Sequence, residues 1–216
     1  MIIVLRQNES WTVKEYLAFM RESEYKYDYI DGQIYMMAGG RPAHNQISAN
    51  VGITLGGQLQ QNPCIIYSSD QAVRAAKDRY FYPDLTIICG DPQFDPLDEN
   101  VLINPTLLVE VLSPSTESYD RGEKAAVYRQ IPSLQHYIFV TPYAAHIEVY
   151  ARQANGKWEV SDVDGLDAAF APPAIGDTLT LADVYNKVTF DPADLPRPVK
   201  PLPRTAVESI PPIKAD

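Results

Sequence analysis

Two acidic residues lie at apolar runs where an ionised side chain is costly. Asp84 lies near the start of the run PDLTIIC (83–89), and Glu110 lies in the middle of TLLVEVLSPS (106–115). An isolated carboxylate in an apolar environment loses hydration worth several kcal/mol unless a cation or strong donors replace the water. Glu110 is therefore expected to have a partner. Lys124 is a candidate, because it lies on a polar helical segment shortly after the run.

These residue types could bind a hard divalent cation and hydrolyse a phosphodiester. Asp84 and Glu110 would supply oxygen ligands to Mg2+ or Mn2+ beside a main-chain carbonyl and water. Such an ion binds a phosphate oxygen and lowers the pKa of a bound water. The ammonium of Lys124 beside that water would favour hydroxide and help to hold the phosphate. A structural alternative stays open, because a strand Glu and a helix Lys can form a buried ion pair that only orders the fold.

The combination of YPD (82–84), PTLLVEVLSPS (105–115) and DxxxKxxxY (120–128) resembles the Uma2 family, formerly DUF820. That family belongs to the PD-(D/E)xK, or restriction-endonuclease-like, superfamily, and the resemblance covers about residues 11 to 158. It implies a metal-dependent endonuclease, acting on DNA, with Asp84 and Glu110 as Mg2+ or Mn2+ ligands. The general motif places Lys two residues after the acidic strand residue, where this chain has Leu112. The resemblance implies that Lys124 supplies the catalytic ammonium instead.

Four further residues are candidates for supporting roles. Asp120 begins the polar helix, and Tyr128 lies one turn after Lys124 on the same face. His44 at a helix start is by itself typical of a polar cap, and Asp28 is by itself a strand carboxylate near a turn. The resemblance places both near the active cleft.

The elements around these residues alternate between strand and helix patterns. A capping box at Thr12 predicts a first helix, and Asp31-Gly32 predicts a β-hairpin. Helical spacing predicts a long helix over 43–60, and 182–185 resembles a last helical turn. The sequence therefore predicts an α/β (α+β) fold, a restriction-endonuclease-like core with a mixed β-sheet flanked by helices. The acidic segment 91–100 is predicted to be a surface loop.

Length and composition predict one domain with a tail. The chain has 216 residues, and prolines become frequent after residue 188, so we expect a domain over 1–188 and an extended proline-rich tail over 189–216. No apolar run reaches the length of about 20 residues that crosses a membrane. The start of the chain lacks the pattern of a signal peptide, so the cytoplasm is the expected location.

The net charge of −10 argues against a broad basic surface for nucleic acid, although a local cationic strip is compatible with it. Candidates for nucleic-acid contact are Arg74, Lys77 and Arg121, with Arg79, Lys124 and Arg129 as further members of such a strip.

Cysteines and histidines outside the motifs are interpreted as structural. Cys64 and Cys89 have no CxxC spacing and aliphatic neighbours, so both are predicted to be buried thiols. His136 and His146 flank two predicted strands without metal-ligand spacing. The superfamily resemblance and the aromatic strands favour a homodimer. A second function also stays open: a nuclease fold that binds nucleic acid or a protein partner without cutting it.

Overall fold

The computed structural model describes residues 2–4, 10–176 and 178–191. Strands of the first sheet are β1 (Ile2–Val4), β2 (Tyr27–Ile30), β3 (Gln33–Met36), β5 (Ala72–Ala76), β6 (Arg79–Phe81), β8 (Phe94–Asp95) and β9 (Asp98–Leu102). They are ordered β1-β3-β2-β6-β5-β9-β8. Only β5 and β9 pair in parallel within this sheet.

A second sheet carries the acidic motifs. Its strands are β4 (Cys64–Ser68), β7 (Leu85–Cys89), β10 (Leu107–Val111), β11 (His136–Val140), β12 (His146–Arg152) and β13 (Trp158–Asp164), in the order β13-β12-β11-β10-β7-β4. β10 and β11 are parallel and the other pairs are antiparallel. A short ribbon joins β14 (Ala169–Phe170) to β15 (Leu179–Thr180).

The helices cover both sheets. They are α1 (Val13–Glu22), α2 (Pro42–Gln58), α3 (Glu117–Tyr119), α4 (Ala125–Tyr128) and α5 (Leu181–Val184), with a 3-10 turn at Leu59–Gln61 and a π-helical turn at Asp120–Lys124. The predicted α+β fold with mixed β-structure and flanking helices is confirmed. The strands form two large mixed sheets, of seven and six strands, rather than the single sheet that was predicted. Of the described helices, none is both long and apolar enough to cross a bilayer.

Local sequence signals account for the first elements. Thr12 and Glu15 form the predicted capping box of α1, each side chain bonding the other residue's backbone N–H. Asp31 and Gly32 have φ of 47° and 85°, as a tight hairpin turn between β2 and β3 requires. Both predictions are confirmed.

Three apolar layers hold these elements together. α2 and α5 pack on one face of the six-stranded sheet, and α1 packs on the seven-stranded sheet. Between the two sheets lies a third core that includes α4. β10 is therefore buried on both faces, because it lies inside its sheet with apolar layers on either side.

The cysteine prediction is wrong. Cys64 and Cys89 form a disulfide and are half-buried. They are partners in the β4–β7 register, with their Cα atoms 3.9 Å apart. The N–H of Cys89 donates to Thr106 Oγ1 rather than across this pair, so the two side chains lie at a close, non-hydrogen-bonded position of the ladder. Sequence spacing does not reveal this register.

The acidic segment 91–100 is not a plain surface loop. It forms the β8–β9 hairpin, in which Asp95 and Asp98 are buried. Asp95 accepts hydrogen bonds from Tyr80 Oη and pairs with Arg74, and Asp98 pairs with Arg21. These donors replace the water that the carboxylates lose, which makes their burial tolerable.

The other predicted helices and strands are confirmed, whereas most of the predicted tail is not described by the structure. The long helix, the last helical turn and the strands at residues 136–140 and 146–150 are confirmed by α2, α5, β11 and β12. Most of the proline-rich tail, residues 192–216, lies outside the described residues, so its extended form and the domain boundary stay predictions.

Candidate active site

A cavity of about 930 Å³ lies where α2, the end of β3, the start of β7, the end of β10 and the π-helical turn meet. The sequence candidates that line it are Asp28, His44, Asp84, Glu110, Asp120 and Lys124. Tyr128 lies behind this wall, fully buried. Residues spread over about 100 positions of the chain thus come together at one place.

The β7–β10 register brings the two predicted metal ligands together. Val109 pairs with Leu85, so the next step of the antiparallel ladder sets Glu110 opposite Asp84. Asp84 is fixed there because its Oδ2 accepts a hydrogen bond from the backbone N–H of Val111 at 2.7 Å. Alternation along β10 turns Val109 and Val111 towards α2 and Glu110 towards α4.

The helical segment supplies the partner that Glu110 requires. Lys124 Nζ lies 2.6 Å from Glu110 Oε1, and Tyr128 Oη donates to the same oxygen at 3.3 Å. Lys124 is the last residue of the π-helical turn, in which the N–H of Ala125 reaches back to the carbonyl of Asp120. Single π turns inside α-helices occur often at functional sites, because the extra residue redirects side chains.

Two more carboxylates lie around this ammonium. Asp120 Oδ1 is 3.8 Å from Lys124 Nζ, and Asp28 accepts a hydrogen bond from the N–H of Tyr82 at 3.2 Å. Burial raises the pKa of Asp28 to about 6, and Lys124 limits that rise. Burial also raises the pKa of Asp120 above its usual value, again opposed by Lys124.

The same balance controls Glu110 and Lys124. Burial raises the pKa of Glu110, Lys124 opposes the rise, and the charges of Asp120 and Asp84 add to it. For Lys124, burial lowers the pKa, but the surrounding carboxylates outweigh burial and hold it above its usual value. Lys124 is therefore a permanent ammonium at neutral pH. The cavity carries more carboxylates than cations, which favours a bound dication.

His44 lies on the other side of Asp84. Its Nε2 is 3.3 Å from Asp84 Oδ2. Burial lowers the pKa of His44, but bonds to Asp84 and the nearby carbonyl of Val111 outweigh it, so the pKa is raised. The buried Nδ1 of His44 has no hydrogen-bond partner among the described residues. The contact through Nε2 lets the imidazole hold the Asp84 carboxylate from the α2 side.

The donor set fits Mg2+ or Mn2+. Asp84 uses Oδ2 and Glu110 uses Oε1 in the contacts above, while Asp84 Oδ1 and Glu110 Oε2 receive no hydrogen bond from the described residues. Each carboxylate thus keeps one oxygen for a hard cation, and the roomy cavity leaves space for coordinated water. The residues present are compatible with the metal that the fold implies.

A different acidic group was missed by the sequence reasoning. Within the described part of the chain, one set of three His, Asp or Glu side chains brings its ligand atoms within 4.8 Å of one another: His146, Glu148 and Asp162. Asp162 comes from β13, opposite Glu148 on β12. His146 and Glu148 alternate on one strand face, which was a signal in the sequence, but Asp162 required the strand register.

The candidates for nucleic-acid contact lie outside the cavity. Arg74 pairs with Asp95 and lies beside Lys77 at a second, smaller cavity, and Arg121 pairs with Glu117 and Glu148. Cations that do line the main cavity besides Lys124 are Lys26 and Arg41, which the sequence did not single out. Their signal was weak, since both lie in segments without a motif.

The chain resembles known proteins along most of its length. Residues 13–182 match the sequence profile of the Uma2 family, described as a "putative restriction endonuclease". The chain is 33% identical over 178 residues to the uncharacterized protein slr1290 of Synechocystis sp., covering 82% of this chain and 92% of that protein. It is 29% identical over 168 residues to the uncharacterized protein sll1609 of the same organism, with 77% and 95% covered.

The fold has a solved counterpart. A crystal structure described as a putative nuclease belonging to DUF820, from Anabaena variabilis, superimposes with a TM-score of 0.65 at 20% identity. The match covers 81% of this chain and 97% of that one. With the family profile spanning well over half of the sequence, the chain belongs to the Uma2 family.

Proposed function

We propose that this chain is a metal-dependent endonuclease that hydrolyses phosphodiester bonds of nucleic acid, with DNA as the expected substrate and Mg2+ or Mn2+ as the cofactor. The observation that carries the proposal is the Asp84–Glu110 pair, each with one uncommitted oxygen, beside an ammonium 2.6 Å from Glu110. The description of the family as a "putative restriction endonuclease" supports the same reaction class.

Each residue has a role that follows from its contacts. Asp84, held by the N–H of Val111, and Glu110, held by Tyr128, would present their remaining oxygens to the ion. A bound ion would lower the pKa of a coordinated water and offset charge on the scissile phosphate. Lys124 would hold a phosphate oxygen and orient the attacking water by donating hydrogen bonds.

The overall reaction adds water to phosphorus and breaks one P–O ester bond. The water loses one proton, and the leaving oxygen gains one, so a phosphate monoester and a hydroxyl group result. His44 and Asp120 contact Asp84 and Lys124 rather than the cavity centre, so their proposed role is to position those two groups.

One observation favours a second function. Glu110 Oε1 is already satisfied by Lys124 and Tyr128, so this buried cluster could order the fold without catalysis. The chain would then be a nuclease fold that binds nucleic acid or a protein partner.

A cleavage assay separates the two functions. Supercoiled, linear, single-stranded and branched DNA would be incubated with the protein in Mg2+, in Mn2+ and in EDTA. Asp84→Asn and Glu110→Gln keep side-chain shape but weaken the ligands, and Asp162→Asn, from the group on β12 and β13, is the matched control. We expect metal-dependent cleavage that falls about 100-fold or more in the two cavity variants.

Asp162→Asn should cut within about twofold of the parent, as a surface substitution away from the chemistry should. Equal cleavage by Asp84→Asn and the parent would overturn the proposed site. DNA binding that survives Asp84→Asn, with no cleavage by the parent in either metal, would instead support the binding function.

A further inference from the structure

The candidate ligands are recessed rather than displayed on a surface. Glu110 is 6% exposed and Lys124 is 4% exposed, and both are reached through the cavity. A phosphate group that contacts Glu110 and Lys124 must therefore enter the cavity together with the nucleotide to which it is bonded. The shape of the recess consequently restricts which nucleic acid can react.

One part of the cavity lining, which we call the apolar wall, is uncharged. It comprises Ala49, Gly52 and Ile53 of α2 with Tyr35 and Met37 at the end of β3, whereas the first two turns of α2 contribute polar side chains to the lining. The sequence from 42 to 69 contains no Asp, Glu, Lys or Arg. Ile53 is 74% exposed, so this wall is open to a ligand. An aromatic ring and aliphatic side chains of this kind suit the flat face of a nucleobase.

The other wall is polar and carries the carboxylates. Ser113 and Thr116 add hydroxyl groups beside Asp84 and Glu110, and Ser113 Oγ lies 2.8 Å from Thr116 Oγ1. Apolar and polar side chains thus line one space. A nucleotide likewise combines a base with an apolar face and a charged phosphate.

Charge outside the cavity does not suit a long duplex. The chain has a net charge of −10, and four of its arginines pair with carboxylates: Arg21, Arg74, Arg79 and Arg121. Binding along duplex DNA typically neutralises 6–10 phosphates. Lys26 and Arg41 line the cavity and could contact about two phosphates near the one that is cut, and Lys26 would then exchange its ion pair with Asp70 for a phosphate.

Resting on the endonuclease function above, we propose that the substrate is single-stranded nucleic acid, which enters the cavity as an unpaired nucleotide. Its base lies against the apolar wall of Ala49, Ile53 and Tyr35, and its phosphate reaches Asp84 and Glu110. A base inside a duplex would first have to leave the stack, which costs a few kcal/mol. Unpaired strands avoid that cost, and base stacking on side chains adds affinity that a duplex cannot gain.

The test varies the substrate and the wall separately. Cleavage in Mn2+ would be compared for a single-stranded DNA, a single-stranded RNA of the same sequence, a blunt duplex and a duplex with a single-stranded flap. Binding of the same oligonucleotides would be measured in Ca2+ by fluorescence anisotropy. We expect the single strand and the flap to bind and react at least about tenfold better than the blunt duplex.

Ala49→Trp fills the apolar wall, and Gly57→Trp is the matched control on the same helix. Gly57 does not line the cavity, and a Cβ there would meet no atom within 4 Å. We expect Ala49→Trp to weaken single-strand binding at least about tenfold and Gly57→Trp to change it less than about twofold. The slope of log K against log salt should be near −1.4, from about two phosphates at −0.7 each.

The outcomes distinguish this inference from the function on which it rests. Metal-dependent cleavage of blunt duplex as fast as single strand, unchanged in Ala49→Trp, would overturn the inference and leave the endonuclease intact. A salt slope steeper than about −4 would also overturn it, because it would require a longer charged contact. If no substrate is cut, the endonuclease fails, and the Ala49→Trp effect on Ca2+-supported binding still decides what the cavity holds. RNA cut faster than DNA would support the inference and assign the polymer.

Discussion

Two groups of acidic side chains, one in the cavity and one on β12 and β13, differ in how deeply they are buried. The carboxylates of the cavity are recessed: the Glu110 side chain is 7% exposed and touches an ammonium. The group on β12 and β13 is less buried: the side chain of Asp162 is 59% exposed, that of His146 24% and that of Glu148 17%. The ligand atoms of His146, Glu148 and Asp162 lie within 4.8 Å of one another, and Glu148 pairs with Arg121. The cavity carboxylates also have a cation, Lys124, but of these two groups they alone line a substrate-sized space.

This difference in burial shows that close approach of acidic side chains does not by itself indicate a functional site. Exposed carboxylates can approach each other at little cost, because water screens their repulsion. Buried carboxylates raise one another's pKa, and the fold must compensate that cost with Lys124, Tyr128 and the Val111 N–H. An arrangement that the fold stabilises at such cost is the stronger candidate for chemistry.

The largest expected effect concerns Lys124. Lys124→Ala should reduce cleavage by about 1,000-fold or more while the protein still folds, because the ammonium next to the attacking water is lost. Leu112 lies on the Glu110 side of β10 and lines the cavity, so adding Leu112→Lys should recover a measurable part. Recovery stays partial, since a fully buried leucine is lost as well.

Rates of plasmid nicking, with circular dichroism to check folding, would measure this. The matched variant from the group on β12 and β13, Asp162→Asn, should cut like the parent. A Lys124→Ala protein that cuts at the parental rate would reduce Lys124 to a structural charge.

A stability effect comes next. Glu110→Ala removes the partner of a buried ammonium and should lower the free energy of unfolding by about 3–5 kcal/mol. Asp162→Ala removes an exposed side chain and should change it by less than about 0.5 kcal/mol. Urea unfolding of the metal-free proteins at pH 7 measures both. If both variants lost a similar amount of unfolding free energy, Glu110 would contribute no more to stability than Asp162 does.

The third effect is a pH dependence of the free energy of unfolding that comes from Asp28 in the recessed group. Burial raises the pKa of Asp28 to about 6, so between about pH 4 and pH 6 the folded protein binds more protons than the unfolded chain. This contribution makes the free energy of unfolding fall as pH rises through that window. At pH 7 the accumulated cost is about 3 kcal/mol, from two pH units at about 1.4 kcal/mol each.

Asp28→Asn cannot titrate but can still accept the hydrogen bond from Tyr82 N–H. It should therefore flatten the profile between pH 4 and pH 6 and stabilise the metal-free protein at pH 7. Denaturant unfolding at several pH values would test this, with Asp162→Asn as the control. An unchanged profile in Asp28→Asn would mean that Asp28 titrates normally.

The smallest effect is on metal affinity. Asp84→Asn should weaken Mn2+ binding about 10-fold to 100-fold, and Asp162→Asn less than about twofold. Isothermal titration calorimetry on each variant would give the affinities. If Asp162→Asn weakened Mn2+ binding and Asp84→Asn did not, the metal site would be the group on β12 and β13 rather than the cavity.

Local patterns carried much of the fold. Capping at Thr12, the Asp31-Gly32 turn and the apolar spacing of α2 depend on neighbours within a few residues, and all were predicted correctly. The residue types of the site were also in the sequence, since a carboxylate inside an apolar strand requires a partner whatever the topology.

The sequence by itself thus determined the family, many of the helices and strands, and the residue types on which the proposed chemistry depends. The tertiary structure alone decided which of them meet. The β4–β7 register joined Cys64 to Cys89, and burial of Asp95 against Tyr80 and Arg74 turned an acidic segment into a hairpin. Strand register and sheet order are set by packing between distant segments, and a slip of one residue would reverse every side chain, so no local pattern encodes them.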